Sequence, residues 1–474
     1  MTSLNLSQAR VLVVGAGLMG AGIAQVAAQA GHAVVLCDNR AGAAAAAKAK
    51  LAQTLDGLMA KGRLTAEAAA ATLARITAQD ALDGAADLVI EAIVENLELK
   101  RALFAELEAL LPATAVIATN TSSISVTALA RDMKAPERLV GMHFFNPVPL
   151  MKLVEVVSGL GTAPEVADAV FALAGRWGKT AVHARSTPGF IVNRIARPFY
   201  AEALMLLQER AAAPELIDAC LRSAGFRMGP CELMDLIGHD TNFAVTNSVF
   251  AANFFDRRYT PSLVQQELVD AGFLGRKSGR GFYRYPDGAP ALAAVSLPAP
   301  VGALLVVHGS GPVAERFAAA WPEAAREPDS DWIGLSIDGR QLRLSDGRRA
   351  ADFGPGAAVF DLPLGAGGDL AFAGDAGTAA WLAELGFTPR AMADVPGLVV
   401  ARTIAMLINE AADAVAQGVC SEAGADAAMK LGVNYPAGPF EWLARWDRRA
   451  VIALLDRLDQ HHRGERYRVS PYLK

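Results

Sequence analysis

Residues 11–38 read VLVVGAGLMGAGIAQVAAQAGHAVVLCD, and the punctuation of this stretch decides the fold of the N-terminal part. A four-residue apolar run leads into Gly15-x-Gly17-x-x-Gly20, a helix-length segment follows, and a second apolar run, AVVLC, ends in Asp38. The first glycine serves a tight turn, the second lets backbone approach a pyrophosphate, and the third packs helix on strand. The helix N-terminus attracts the phosphate charge. Asp38 stands 18 residues beyond Gly20, where a carboxylate can bind ribose hydroxyls. Strand, glycine loop, helix, second strand and acid in this order predict a Rossmann-type, doubly wound dinucleotide domain. Gly15, Gly17, Leu18, Met19 and Gly20 form its phosphate loop. Asp38 repels a 2′-phosphate, so NAD is favoured over NADP; Arg40, two residues on, is of the type that accepts such a phosphate. Residues 11–31 are also uncharged and long enough to span a bilayer. The turn-spaced glycines, a flank with Arg10 as its single basic residue and the lack of a signal-peptide pattern argue against that.

Working outward, residues 119–157 (TNTSSISVTALARDMKAPERLVGMHFFNPVPLMKLVEVV) hold a single histidine, His143. It ends an apolar run and precedes a proline-broken loop. The next segment, MKLVEVV, predicts a strand carrying Glu155 among apolar neighbours. An imidazole titrates near neutrality, and a partly buried carboxylate bound to it fixes its tautomer and stabilises its protonated form. Upstream, Asn120-Thr121-Ser122-Ser123 offers small polar groups at a strand end. Taken alone, this stretch is equally consistent with a satisfied histidine beside a structural salt bridge.

Together, VGAGLMGAGIAQ, IEAIVENLELK, TNTSS, HFFNPVP, KLVEVV and TPGFIVNR, in this order and spacing, resemble the (3S)-3-hydroxyacyl-CoA dehydrogenases, and the resemblance extends over essentially the whole chain. Within that family the long C-terminal half, with LVQQELV, LGRKSG and ERYR, is most similar to bacterial members that act on 3-hydroxyadipyl-CoA in phenylacetate breakdown. The resemblance implies reversible, NAD-dependent oxidation of a 3-hydroxyacyl-CoA to a 3-oxoacyl-CoA. It implies His143 as general base, Glu155 as its orienter, and Ser122 and Asn193 as polar contacts to the reacting oxygen. Glu95, Lys100 and Asn120 are implied at the nicotinamide half of the cofactor. The CoA moiety is implied on the Ala-rich stretch 43–73, with Thr54 and Lys61 as the matching contacts. A terminal carboxylate on the substrate would need a cation, for which Arg194 and Arg197 are candidates. The other readings are a 3-hydroxybutyryl-CoA dehydrogenase, a dehydrogenase of a free hydroxyacid such as gulonate, and a binding module or redox sensor that has lost catalysis. The intact His143 and Glu155 speak against the last.

A chain of 474 residues with 53% hydrophobic and 20% charged residues predicts several domains with large cores. The net charge of −5 gives no reason to expect nucleic acid or an anionic membrane as partner. Cys37, Cys220, Cys231 and Cys420 form no metal-ligand pattern and read as thiols of a reducing cytoplasm, with no metal implied. The Ala-rich stretch, broken at Gly62, predicts a helical hairpin because alanine is the best helix former.

The predicted domains are a Rossmann domain over 1–185, a helical domain over 186–290, a small α/β domain over 296–392 and a second helical domain over 395–474. The two helical segments repeat: Pro188-Gly189-Phe-Ile-Val-Asn193-Arg194 matches Pro396-Gly397-Leu-Val-Val-Ala401-Arg402 at an offset of 208, which also carries Glu202 to Glu410. Ala401 replaces Asn193, so only the first copy can supply that amide. In single-copy members of the family this domain dimerises, so two copies imply an internal pseudo-dimer, with a homodimer of whole chains also open. His308-Gly309-Ser310-Gly311 in the middle segment fits neither a nucleophile elbow nor a full dinucleotide fingerprint.

Overall fold

A computed structural model describes residues 4–296, 298–300 and 302–474; Leu297 and Val301, at the start of the expected 296–392 domain, lie outside the described residues. The chain forms two compact units. One runs through Arg194 and includes Gln417–Val433; the other comprises Ile195–Ala416 and Asn434–Lys474.

The first unit is built on an eight-stranded sheet. Its strands are β1 (Val11–Val14), β2 (Val34–Cys37), β3 (Ile76–Gln79), β4 (Leu88–Glu91), β5 (Val116–Thr119), β6 (Leu139–Phe144), β7 (Leu153–Ser158) and β8 (Thr180–Arg185), in the order β3-β2-β1-β4-β5-β6-β7-β8. The pairs from β3 to β6 are parallel; β7 runs antiparallel to β6, and β8 parallel to β7. Every residue of β1, β2, β4 and β5 is buried. Strands covered by helices on both faces carry unbroken apolar runs in place of alternation, which is why VLVV and AVVLC read so clearly.

The strand order reverses between β1 and β4, which opens the crevice at the strands' carboxyl ends where such sheets bind ligands. The antiparallel step from β6 to β7 sets His143 directly opposite Glu155. The connection between them begins with a cis Asn146–Pro147 bond. It is pinned by Lys179, whose ammonium donates to the carbonyls of Val148 (2.5 Å) and Met151 (2.8 Å). Burial, with Lys152 nearby, pulls the Lys179 pKa down to about 8.

The Ala-rich stretch folds as the helices Ala43–Ala60 and Ala66–Ala74, separated at Gly62 and capped by the Thr65 hydroxyl, which accepts from the Ala68 N–H. The helix Glu422–Gly432, far along the chain, packs on β7 and β8.

The second unit pairs helices with a seven-stranded mixed sheet. Its strands are β9 (Leu305–His308), β10 (Ala325–Glu327), β11 (Gly334–Ile337), β12 (Arg340–Leu344), β13 (Ala358–Phe360), β14 (Gly368–Gly374) and β15 (Phe387–Ala391), in the order β10-β9-β11-β12-β13-β14-β15. Phe317, Phe360 and Phe372 anchor its core. The His308 imidazole bonds to Ser330 and Ser336 (2.9 and 2.6 Å) and stacks on Trp332.

Helix Val400–Ala416 packs on helix Arg197–Gln208, and two buried carboxylates lie in this core. Glu202 accepts from Arg402 (2.7 Å), Tyr467 (2.9 Å) and Arg466 (3.0 Å). Glu410 accepts from Tyr259 (2.5 Å) and Arg258 (3.4 Å). A third, Asp361, follows β13 and accepts the N–H groups of Leu362, Val399, Val400 and Ala401 at 2.6–2.9 Å. No helix among the described residues is long and apolar enough to cross a membrane; the uncharged run 11–31 is spent on β1 and the helix Leu18–Gln29.

Candidate active site

The glycine loop leaves the end of β1 and enters the helix Leu18–Gln29, whose N-cap, Gly17, provides no side-chain cap. A Cβ on Gly20 would fall 1.8 Å from the Gly15 carbonyl oxygen, so only glycine lets the helix come this close. A Cβ on Gly17 would meet nothing within 4 Å. That open space beside uncapped helix N–H groups is a cradle that fits a pyrophosphate. Leu18 is exposed on the first turn, and Met19 lines the adjoining pocket.

Asp38, just past β2, accepts from the Ala16 N–H (2.8 Å) and therefore holds the loop. Arg40 folds back onto it with contacts of 3.0 and 3.2 Å. The guanidinium, aided by the Ala16 and Arg40 N–H groups against a burial cost, lowers the Asp38 pKa to about 2, so it is ionised wherever the protein works. This geometry couples the two residues. The carboxylate repels a 2′-phosphate and also keeps the neighbouring cation occupied. Asp38→Ala is expected to lower kcat/KM with NAD and raise it with NADP, since it removes the carboxylate assigned to the ribose and releases Arg40. Steady-state kinetics with both cofactors measure this, and an unchanged cofactor ratio would contradict the assigned role.

Next along the strand ends is a pocket of about 340 Å³ lined by Met19, Glu95, Asn120, Ser122, His143 and Asn193, among others. The His143 ring lies 4.5 Å from the Phe145 ring and 5.8 Å from the Phe190 ring. Its Nδ1 meets Glu155 Oε2 at 2.5 Å, and both side chains are buried. With Nδ1–H donating to the carboxylate, Nε2 is the free basic nitrogen.

The other carboxylate oxygen, Glu155 Oε1, accepts the N–H groups of Ile191 (3.1 Å) and Val192 (2.9 Å). Those amides are presented by a turn in which Phe190 takes φ +47°, a left-handed conformation uncommon for a bulky side chain and often stored at functional sites. Asn193 comes next, with its amide Nδ2 3.5 Å from the Ser122 carbonyl. One turn therefore fixes Glu155 and delivers Asn193 into the same pocket. Asn120 joins neighbouring strands by accepting from the Phe144 N–H (2.9 Å).

Glu95 accepts from the Thr121 hydroxyl (2.7 Å) and from the N–H groups of Ser122 and Ser123 (3.0 and 3.2 Å). Burial raises its pKa, but these bonds and the charge of Lys100 outweigh that and hold it below the usual range. Lys100 is almost fully buried and its ammonium sits on Glu91 (2.6 Å) and Glu95 (3.2 Å). It lines the pocket while its charge is spent on carboxylates, which makes it a brace for the Glu95–Ser122 loop. Glu91, absent from the residues singled out in the sequence, completes the brace by accepting from Thr119 (2.6 Å) and the Ile93 N–H (2.7 Å). Its position as the last residue of β4, in IEAIVEN, is the one sequence signal that could have found it.

Thr54 and Lys61 are not brought into this pocket. Thr54 bonds to the Lys50 carbonyl of its own helix (3.0 Å), and Lys61 is exposed at that helix's end.

Comparison with known proteins converges on this chemistry. Residues 10–187 match the 3-hydroxyacyl-CoA dehydrogenase, NAD binding domain family, and residues 189–285 and 397–474 match the 3-hydroxyacyl-CoA dehydrogenase, C-terminal domain family. The chain is 47% identical to the 3-hydroxyadipyl-CoA dehydrogenase of Escherichia coli (strain K12), over 98% of this chain and 96% of that one. It is 42% identical to the probable 3-hydroxybutyryl-CoA dehydrogenase of Bacillus subtilis (strain 168), over 59% of this chain and 98% of that one. The crystal structure of a 3-hydroxybutyryl-CoA dehydrogenase from Escherichia coli K12 superposes with a TM-score of 0.90 at 45% identity, covering 98% of this chain and 97% of that chain.

Proposed function

The chain belongs to the 3-hydroxyacyl-CoA dehydrogenase family and is an NAD-dependent oxidoreductase, and from that premise we propose that it oxidises 3-hydroxyadipyl-CoA to the 3-oxoacyl-CoA. Bound NAD supplies the hydride acceptor. The residues of the chain handle the proton and the oxygen. His143 Nε2 takes the hydroxyl proton while its Nδ1–H stays on Glu155, whose negative charge stabilises the imidazolium that forms. The Ser122 hydroxyl and the Asn193 amide hold the oxygen as charge develops on it, a contribution of a few kcal/mol per donor in comparable sites. The observation that carries this reading is the His143–Glu155 contact, with Glu155 itself anchored by two backbone N–H groups.

The dicarboxylic substrate is supported by whole-chain similarity to a relative named for that activity. The whole-chain structural match to a 3-hydroxybutyryl-CoA dehydrogenase keeps the short monocarboxylic substrate as the second reading. Comparing kcat/KM on the two CoA thioesters decides between them. A recognised ω-carboxylate is worth about 1.5–3 kcal/mol, or roughly 10- to 100-fold, in favour of 3-hydroxyadipyl-CoA. Higher efficiency on 3-hydroxybutyryl-CoA would move the assignment.

The helical domain, on this reading, occurs twice and pairs internally. Gly189 and Phe190 take φ +77° and +47°, and Gly397 and Leu398 take +76° and +47°. The offset of 208 that carries Glu202 to Glu410 also carries Arg258-Tyr259 to Arg466-Tyr467. Glu202 is held by Arg466 and Tyr467, while Glu410 is held by Arg258 and Tyr259. Each copy thus grips the other's glutamate, the reciprocity expected of an isologous contact.

The second sheet carries the same logic with the chemistry removed. Asp361 takes the N–H groups of Val399 and Val400, as Glu155 takes those of Ile191 and Val192, and among the described residues no histidine or asparagine bonds to it. The first copy is catalytic and the second structural. A reducing cytoplasm suits the four free cysteines, of which burial pushes the Cys37 thiol up to about 11 and that of Cys420 up to about 12.

A further inference from the structure

The helical unit contains a second cavity, of about 370 Å³, which shares no residue with the catalytic pocket. Five arginines and one histidine line it, and no carboxylate does. Two of the arginines are balanced from behind: Arg258 by Glu410 and Asp413, and Arg466 by Glu202. Arg197, Arg257 and Arg463 stand at two depths in the same cavity. Arg257 and Arg463 are exposed and have no carboxylate within ion-pair distance among the described residues. Arg197 is 7% exposed, lies 4.9 Å from the centre of the Tyr200 ring and donates to the Thr246 hydroxyl at 3.2 Å. Burial lowers its pKa, and the Tyr200 and Tyr435 phenols oppose that effect. A guanidinium nevertheless keeps its proton in proteins. Leu204, Met205, Pro261 and Leu263 give the same cavity an apolar wall, and Ser262 and Thr260 add hydroxyls.

Positive charge at two depths with an apolar wall describes a ligand with two anionic ends and a methylene spacer. We propose that this cavity binds a straight-chain α,ω-dicarboxylate. Arg197 receives the inner carboxylate, Arg257 and Arg463 receive the outer one, and the chain lies against Leu204 and Met205. A phosphate group fits less well, because it would concentrate its charge at one end and leave the apolar wall without a partner.

The paired-copy reading adds a stoichiometry. The offset of 208 carries Arg197 to Ala405, Arg257 to Glu465 and Phe255 to Arg463. The equivalent position across the pseudo-symmetry therefore lacks these cations, and each chain has one such site.

Isothermal titration calorimetry on the full-length protein tests this with adipate, hexanoate and inorganic phosphate as probes. Adipate is expected to bind once per chain, with hexanoate and phosphate at least about tenfold weaker. The exposed double variant Arg257→Ala/Arg463→Ala should weaken adipate binding by about tenfold or more, with its melting temperature and dehydrogenase turnover unchanged. Arg197→Met should weaken it comparably; if that buried substitution fails to fold, the exposed pair decides alone. Adipate binding that survives the double variant, equal binding of hexanoate or phosphate, or no binding of adipate at millimolar concentration would overturn the proposal. Because turnover is measured separately, none of these outcomes bears on the dehydrogenase assignment.

Discussion

His143→Ala is expected to lower kcat by about 10²- to 10⁴-fold, the range contributed by a positioned acid–base group, with NAD affinity unchanged. The split between the two readouts follows from the architecture. The groups proposed to hold the cofactor lie on the glycine loop and at Asp38, at the ends of β1 and β2, whereas His143 is on β6. Glu155→Gln should come close in kcat and also cost stability. Glu155 uses one oxygen for the His143 ring and the other for two backbone amides. A glutamine has one carbonyl oxygen, so its NH₂ must face either the imidazole Nδ1–H or the Ile191 and Val192 N–H groups. An unsatisfied buried donor costs about 1–3 kcal/mol. Calorimetric NAD titration beside steady-state kinetics measures both effects, and normal turnover by a folded His143→Ala protein would remove the base from the mechanism.

Glu202→Ala is expected to destabilise the helical unit by about 3–5 kcal/mol, the usual result of deleting one partner of a buried ion pair. Glu202 is fully buried among Arg402, Arg466 and Tyr467, and its loss removes the carboxylate that offsets the desolvation of Arg466 and part of that of Arg402. Arg402 keeps Glu209 at 3.0 Å, so Arg466 bears most of the loss. Glu410→Ala should cost less, because Arg258 retains Asp413, the closer of its two carboxylates.

The pH dependence has a definite sign. Burial raises the Glu202 pKa, but Arg466 and Arg402 outweigh it and the net shift is downward from 4.5. The stabilisation is therefore fully present above the unfolded value near 4.5 and is lost as pH falls through the lower folded value. Glu202→Gln should flatten that acid limb. Hydrogen exchange in the helix Arg197–Gln208 and denaturation midpoints across pH 3–6 read both effects, and an unchanged acid limb would show that the carboxylate is not held by these arginines. Point variants are the appropriate test here. Deleting residues 395–474 would also strip the helix Glu422–Gly432 from β7 and β8 of the catalytic unit.

Much of this protein was legible before any coordinates. The continuous apolar runs around the glycine loop specify a parallel sheet covered on both faces, because only such strands can be apolar throughout. The loop's spacing specifies a phosphate cradle through local backbone geometry alone. His143 and Glu155 stood out because an ionisable group in an apolar strand must have a partner. The helical hairpin was equally visible, being a property of composition.

What the tertiary structure decided depends on residues distant in sequence. The antiparallel step between β6 and β7 turns a separation of 12 residues into a 2.5 Å contact. Lys100 lines the catalytic pocket, and folding also places its ammonium on Glu91 and Glu95, since a buried ammonium takes the nearest carboxylates. Arg40 reads as a rival to Asp38 and is instead occupied by it. Glu202 and Glu410 find their arginines about 264 and 152 residues away, and the Arg197 cavity draws on segments separated by more than 200 positions. Local pattern determines which elements form and which face they bury. Which charges meet in the interior is set by desolvation, which forces every buried ion to take a partner from whatever chain the fold brings alongside.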